Sequence, residues 1–172
     1  MSQPTHQLEH LPELPTIFRS AATHIELYGL AQDWYCAPGA GTEDIPIGEC
    51  PTCTVGACSW AQTGSPTQGV DNAVVADATQ VLAQHLGIEI RVDSTTGEPD
   101  YVDTVATWND APERTADEVV AFLRRMAAEA AEVDLLCRYI REHDDHQPYE
   151  WGAVEFGAYR AELTALRLAA AA

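Results

Sequence analysis

Four cysteines in the first third of the chain are the residues best suited to chemistry. Cys50 and Cys53 are separated by two residues, Cys36 lies fourteen residues before this pair, and Cys58 follows it by five. Two thiolates at this spacing can reach one ion, because the turn between them points both sulfurs inward. Zinc takes four such ligands in a tetrahedron. The pattern predicts a zinc-stabilised module with the ligands Cys36, Cys50, Cys53 and Cys58, or with His24 as a substitute fourth ligand.

The same thiols have two other interpretations. Cys58 falls inside a predicted helix, where a buried Cys commonly acts as a small hydrophobic residue, and free reduced thiols are our preferred alternative to a metal site. A redox dithiol is the third interpretation. It needs the first Cys of the pair to be activated at a helix N-terminus, whereas here the second, Cys53, lies nearest to a predicted helix start.

A second polar cluster lies near residue 145, where His143 and His146 flank two aspartates. Residues three apart share a helix face, so both imidazoles could bind one metal ion. We prefer a solvated helix end before Pro148. The sequence contains no Gly-rich phosphate loop, no nucleophile elbow and no His-Glu-x-x-His motif. We therefore assign no catalytic residue, and we lean towards a protein that is not an enzyme.

The elements that must position these residues are predicted to be mostly helices. Apolar residues recur every three or four positions along most of the chain, which is the period of one helix face. Thr115 and Glu118 form a capping-box pattern at the start of the longest stretch, which is one long helix or two stacked short ones. The predicted helices cover about residues 16–28, 54–62, 71–86 and 115–147, with a last helix from Tyr149.

One segment has the alternating pattern of a strand. Ile88, Ile90 and Val92 alternate with polar residues, and residues 102–106 could pair with them across a turn-rich segment. We therefore predict a mainly α fold, a small helical domain with a short β-hairpin and a C-terminal helical hairpin. The predicted divisions are an N-terminal tail (1–13), a helical core domain (14–128) and a C-terminal helical extension (129–172).

Two sequence boxes precede predicted helices. The Cys box, residues 53–61, reads Cys-Thr-Val-Gly-Ala-Cys-Ser-Trp-Ala; the Trp box, residues 108–110, reads Trp-Asn-Asp and is followed by Arg114 and Thr115. In this order after an amphipathic helix, they resemble an uncharacterised domain family of actinobacteria and their phages, over about residues 16–128. The resemblance implies the fold and such a source, and it carries no activity to transfer. Cys50, Cys58 and the helices beyond residue 130 depart from the family pattern.

The residues of the boxes also have a physical interpretation of their own. Small residues in the Cys box let another helix approach closely, Trp108 fills a core, and Asn109 and Asp110 bind backbone N–H groups of the turn. The alternative is a ligand pocket between the Cys loop and the turn from Trp108 to Thr115. That pocket would be lined by Asn109, Asp110 and Arg114.

The charge of the chain limits the classes of partner that it is expected to bind. There are 27 acidic residues against 9 basic ones, all of them Arg, which gives a formal net charge of −18. Such a surface repels phosphate backbones and anionic lipid headgroups, so we expect no general nucleic-acid binding and no membrane binding. No stretch approaches the ~20 apolar residues of a membrane-spanning helix. We see no secretory signal, and the odd number of cysteines favours a cytoplasmic location, or a virion if a phage encodes the protein.

These observations favour a non-enzymatic, acidic, helical interaction protein, associated with a phage on the evidence of the family resemblance. Its partner would be another protein or a second copy, with the helices between Thr115 and Leu168 as one candidate seam. Two alternatives stay open beside it. One is a ligand-binding or enzymatic domain with the pocket described above, and the other is the zinc-stabilised module. An acidic mimic of DNA is a more remote third.

Overall fold

The computed structural model describes residues 13–69, 71–142 and 153–170, with side chains from 157 onward in the last segment. The regular secondary structure of the described part is almost entirely helical, so the predicted mainly α fold is confirmed. None of its helices combines the length and apolar character needed to cross a membrane. The helices are α1 (Leu14–Tyr28), α2 (Thr54–Thr63), α3 (Ala73–His85), α4 (Tyr101–Asn109), α5 (Ala116–Glu142) and α6 (Ala153–Ala170).

The core is built around α1, which packs mainly on α5 and also on α2, while α3 packs on α4. Phe18 and Ile25 of α1 are almost completely buried, as are Leu123 and Met126 of α5. Burying a side chain of this size contributes about 2 kcal/mol relative to leaving it in water. The apolar stripe read from the sequence therefore becomes the contact surface between the first and the longest helix.

The start of α5 is the capping box that the sequence predicts. The Thr115 backbone N–H donates to the Glu118 carboxylate at 3.0 Å, and the Glu118 N–H donates to Thr115 Oγ1 at 3.3 Å. The hydrogen bond from the Thr115 backbone lowers the pKa of Glu118 below its ordinary value. The helix then runs unbroken to Glu142, so one long helix forms rather than two stacked ones.

The predicted β-hairpin is wrong in its second half. Val92 and Pro99 form one antiparallel bridge around the turn at 93–98, but residues 102–106 lie within α4. Asp100 favours a helix over a strand at these residues, because its side chain accepts from the Asp103 N–H at 2.8 Å and caps the helix. Helical spacing also buries Thr104 and Val105 completely. Capping and burial outweigh the strand preference of the β-branched residues.

The C-terminal helix α6 packs on α5. Tyr159, Leu163 and Leu166, the residues predicted to face back, are the half-buried positions among its described side chains. The rings of Tyr139 on α5 and Tyr159 on α6 meet edge to face with 5.4 Å between centroids. Residues 1–12 of the predicted tail (1–13) lie outside the described residues, as do the cluster around His143 and His146 and the predicted helix start at Tyr149.

Candidate functional site

The two sequence boxes contact each other through one buried amide. Asn109 ends α4 and is fully buried, and its Oδ1 accepts from the backbone N–H of Thr54 at 3.0 Å and from Thr54 Oγ1 at 2.8 Å. Thr54 begins α2, and the first N–H groups of a helix have no acceptor within the helix. Asn109 of the Trp box therefore caps the helix of the Cys box from 55 residues away.

The donor side of the same amide ties down the loop after α1. Asn109 Nδ2 donates to the Ala31 carbonyl at 2.9 Å and to Asp110 Oδ1 at 2.8 Å. Asp110 Oδ1 also accepts from the Asp33 N–H at 3.0 Å, and Gln32 donates to the Ala111 carbonyl at 2.9 Å. An Asn amide offers two donors and two acceptor sites, and all four are used here. Asn109 has no hydrogen-bonding capacity left for a ligand.

Arg114, the third predicted ligand residue, lies in a different place from Asp110. Its Nε donates to the Trp108 carbonyl at 3.2 Å, and its guanidinium carbon lies 4.2 Å from the centre of the Trp108 ring. It lines a depression of about 330 Å³ together with Trp108 and Phe122. Asp110 lines another, of about 450 Å³. The structure therefore does not bring the predicted trio into one pocket.

Two of the four thiols belong to α2 itself. Cys53 is its N-cap residue, and its sulfur accepts from the Gly56 N–H at 3.3 Å. Burial raises the pKa of Cys53 to about 11 and that of Cys58 to about 12. Both are therefore neutral thiols near pH 7, and a neutral thiol is a weak nucleophile. Cys58 matches the interpretation as a small buried hydrophobic residue.

Cys36 and Cys50 lie together in the loop before α2. Cys36 forms an antiparallel bridge with Thr52, and the thiols of Cys36 and Cys50 are within hydrogen-bonding reach of each other. His24 Nε2 donates to the Cys50 carbonyl at 3.0 Å, and burial lowers the pKa of this imidazole. In residues 13–69, 71–142 and 153–170, no three His, Cys, Asp or Glu side chains are grouped to hold one ion. This arrangement does not support the predicted zinc site, which elemental analysis can test.

Gly56 shows why the Cys box needs a residue without a side chain at this position. A Cβ atom there would overlap the backbone carbonyl of Tyr35, which also accepts from the Cys53 N–H at 3.3 Å. The backbone of the loop therefore lies directly against the first turn of α2. This close approach brings Tyr35 and its neighbour Trp34 to the same surface as the helix start.

An acidic aromatic cleft of about 450 Å³ lies beside this junction, between the Cys loop and the turn after α4; the sequence singled out Asp110 here, but not Trp34 or Tyr35. Trp34 and Tyr35 are 62% and 38% exposed, although both are large aromatic residues. The one available sequence signal was an Asp-Trp-Tyr run inside a loop rich in Gly and Pro. The cleft is lined by Asp33, Trp34, Tyr35, Cys53, Ala106 and Asp110.

Further carboxylates lie near the cleft. Partial burial raises the pKa of the Tyr35 hydroxyl, and the negative charges of Asp100 and Asp71 raise it further. Asp33 has a left-handed backbone, with φ at 66°, which Asp tolerates better than most residues. Its hydrogen bond to Asp110 holds that conformation. The cleft therefore combines exposed aromatic rings with a negative potential on a loop that is tied to the core.

Comparison with known proteins adds a family but no activity. No curated protein and no solved structure matches the chain. Residues 10–129, which include both boxes and the whole junction around Asn109, match the model of DUF6197, a family of unknown function. The chain belongs to this family.

Proposed function

We propose that this protein is a non-enzymatic binding protein whose acidic aromatic cleft holds a positively charged segment of a partner protein. The observation that carries the proposal is the exposure of Trp34, at 62%, beside the carboxylates of Asp33 and Asp110. Indole surface in water is unfavourable unless a partner covers it. A Trp between carboxylates offers both a cation–π face and a counter-charge.

The chemistry of the cleft favours the binding of a positively charged group. A guanidinium or ammonium group over an exposed indole gains about 0.5–1 kcal/mol, and more once water is excluded. Charge-assisted hydrogen bonds to Asp33 or Asp110 would add to this and would fix the orientation of the bound group. Trp and Tyr are also enriched among the residues that contribute most to protein–protein binding.

The charge of the whole chain supports the same kind of partner. The formal net charge is −18, and six arginines already contact carboxylates of this chain. Unpaired carboxylates therefore dominate the surface potential. Such a potential speeds the encounter with a basic partner and weakens as salt is added.

The cleft is well prepared for binding because its loop is already held. Hydrogen bonds from Gln32, Asp33 and Asn109 tie it to the turn after α4. Binding to a loop that is already ordered costs less conformational entropy than binding to a free one. The cleft volume of about 450 Å³ accommodates one or two long side chains rather than a folded domain.

A peptide titration tests the proposal. Calorimetry would compare an acetylated penta-arginine peptide with the same peptide containing citrulline, which is neutral. We expect binding of the cationic peptide alone, and we expect Trp34→Ala to weaken it about tenfold or more. The matched control is Leu27→Ala, since Leu27 is 68% exposed on α1 and does not line the cleft.

A second pair of variants separates the local site from general charge attraction. Asp33→Asn and Glu113→Gln each remove one negative charge, but only Asp33 lines the cleft. We expect the first to weaken binding clearly more than the second. Equal losses in both variants, or an unchanged affinity in Trp34→Ala, would mean that the peptide binds the acidic surface non-specifically and would contradict the proposal.

The remaining functional alternatives stay predictions. Free arginine that binds as tightly as the peptide would favour the small-ligand alternative over a protein partner. Zinc found at one equivalent by elemental analysis would favour the zinc-stabilised module. A cytoplasmic location, an association with a phage and the absence of nucleic-acid binding are part of the proposal and are tested by imaging in the native host and by DNA-binding assays.

A further inference from the structure

The segment at 88–92, Ile-Glu-Ile-Arg-Val, runs between α3 and the turn at 93–98, and one of its edges is already paired. The Arg91 N–H donates to Thr104 Oγ1 at 2.9 Å, and the Arg91 carbonyl accepts from the Asp100 N–H at 2.8 Å. The bridge between Val92 and Pro99 lies on the same side. The start of α4 and the turn therefore occupy this edge.

The opposite edge is open. In extended chain the N–H and C=O of one residue point to the same side, and this side alternates along the chain. Because the groups of Arg91 face α4, those of Ile90 and Val92 face away from it. Among the described residues, none makes a hydrogen bond to the backbone of Ile88, Ile90 or Val92. Ile88 and Val92 are also 42% and 60% exposed, along a groove of about 580 Å³.

We propose that a second copy of this chain pairs antiparallel with this edge, with the twofold axis at Ile90. In that register Ile90 faces Ile90 of the second copy, and Ile88 faces Val92. The backbone groups of Ile90 and Val92 point outward, so the central Ile90 pair can exchange two hydrogen bonds, while Ile88 lies at a bend of the chain. An open strand edge is a template for this kind of addition, and twofold pairing is the commonest symmetry of homo-oligomers.

Charge complementarity identifies the occupant as a second copy. In the antiparallel register Glu89 lies opposite Arg91 of the second copy, and the reverse pair forms by symmetry. Parallel pairing would instead place Glu89 beside Glu89. Opposite charges facing each other across strands are favourable, and like charges are unfavourable. Arg91 already contacts Asp103, but both side chains are about half exposed, and a guanidinium has donors for a second carboxylate.

Charge-swap variants test this pairing by sedimentation equilibrium of the full chain. We expect a reversible dimer, and we expect Glu89→Arg and Arg91→Glu each to raise its dissociation constant about tenfold or more. The double swap restores opposite charges, so we expect it to return the constant to within about threefold of the wild type. Glu89→Arg is the sharpest variant, because it reduces the overall repulsion between two chains of charge −18 and yet should weaken the dimer.

The matched control is Glu98→Arg, which makes the same charge change on an exposed residue of the turn outside the paired stretch. We expect it to leave the dimer intact, and circular dichroism verifies that every variant keeps its helices. A monomer at about 1 mM would overturn the proposal. So would a dimer that tolerates both single swaps, or a double swap that fails to restore it. The pairing does not use Trp34, so Trp34→Ala should leave the dimer unchanged while it weakens peptide binding.

Discussion

The junction around Asn109 and the contact between α5 and α6 are both held by polar groups, but in opposite surroundings. At the junction, Asn109 is fully buried and Thr54 with it, and both acceptor and donor sites of the amide are used. Between α5 and α6, Arg138 pairs with Glu162 and Arg167 with Glu132, and the arginines are about half exposed or more. The first region has buried its polar groups, whereas the ion pairs of the second lie at the surface.

Buried polar contacts constrain the fold more strongly than exposed ones. A buried donor or acceptor without a partner costs the whole desolvation free energy of that group, whereas an exposed ion pair is readily replaced by water. The junction therefore allows only one arrangement of α2, α4 and the loop after α1. The family match extends over residues 10–129, so it includes the junction and stops before α6. Substitutions at Asn109, Gly56 and Arg167, together with the pH dependence of unfolding, test whether the two regions differ in this way.

Asn109→Ala should have the largest effect. It leaves the Thr54 N–H and the Ala31 carbonyl buried without partners and opens a small cavity, so we expect a loss of about 3–5 kcal/mol in the free energy of unfolding. Urea denaturation measures it. The matched control is Asn72→Ala, which removes a local cap whose side chain accepts from the Val74 N–H at 2.8 Å. That variant should lose only about 1 kcal/mol, and equal losses would contradict the special role of the junction.

Gly56→Ala should rank next. The new methyl group would overlap the Tyr35 carbonyl, which is backbone and cannot rotate away, so we expect a loss of about 1–3 kcal/mol. Gly157→Ala is the control with the opposite sign. Gly157 lies inside α6 with open space around it, so Ala should stabilise that helix by about 0.5–1 kcal/mol. Thermal unfolding of the two variants shows whether the change in the free energy of unfolding has opposite signs in the two regions.

His24 should make stability depend on pH. Burial lowers its pKa in the folded protein below the ordinary value of 6.5, so the unfolded chain binds more protons in the interval between the two. The free energy of unfolding should therefore fall as the pH drops below 6.5 and should level off below the folded pKa. His24→Phe keeps a ring between Tyr28 and Trp60 but does not titrate. Urea midpoints measured at several pH values should change less steeply with pH in this variant than in the wild type. An equally steep change would mean that other groups cause the pH dependence.

Arg167→Ala should have the smallest effect. It removes an exposed ion pair with Glu132 at 2.7 Å, which water replaces readily. We expect the unfolding midpoint to stay close to that of the wild type and to become less sensitive to salt. A loss as large as that of Asn109→Ala would show that the α5–α6 contact is as important to the fold as the buried junction.

Much of the secondary structure could be predicted because its signals are local. The Thr115–Glu118 capping box lies within one helical turn, and the apolar stripe of α1 repeats over a few residues. The same reasoning failed at residues 102–106, because β-branched residues fit both a strand and a helix. There the Asp100 cap and the burial of Val105 decided in favour of the helix.

The candidate site could be predicted only in part. The Cys and Trp boxes drew attention to Asn109, Asp110 and Cys53, but their spacing did not show that Asn109 binds Thr54 across 55 residues. Nor did the spacing of the thiols show that Cys36 lies with Cys50, while Cys53 and Cys58 belong to α2.

The helical class of the protein, its strong negative charge and the start of its longest helix could be predicted from the amino-acid sequence, because these depend on composition and on neighbours along the chain. The sequence did not show which polar groups are buried together or which aromatic residues remain in water, because burial depends on contacts between distant segments. Trp34 and Trp108 have the same side chain, yet the first is 62% exposed and the second packs under Arg114 and against Phe122.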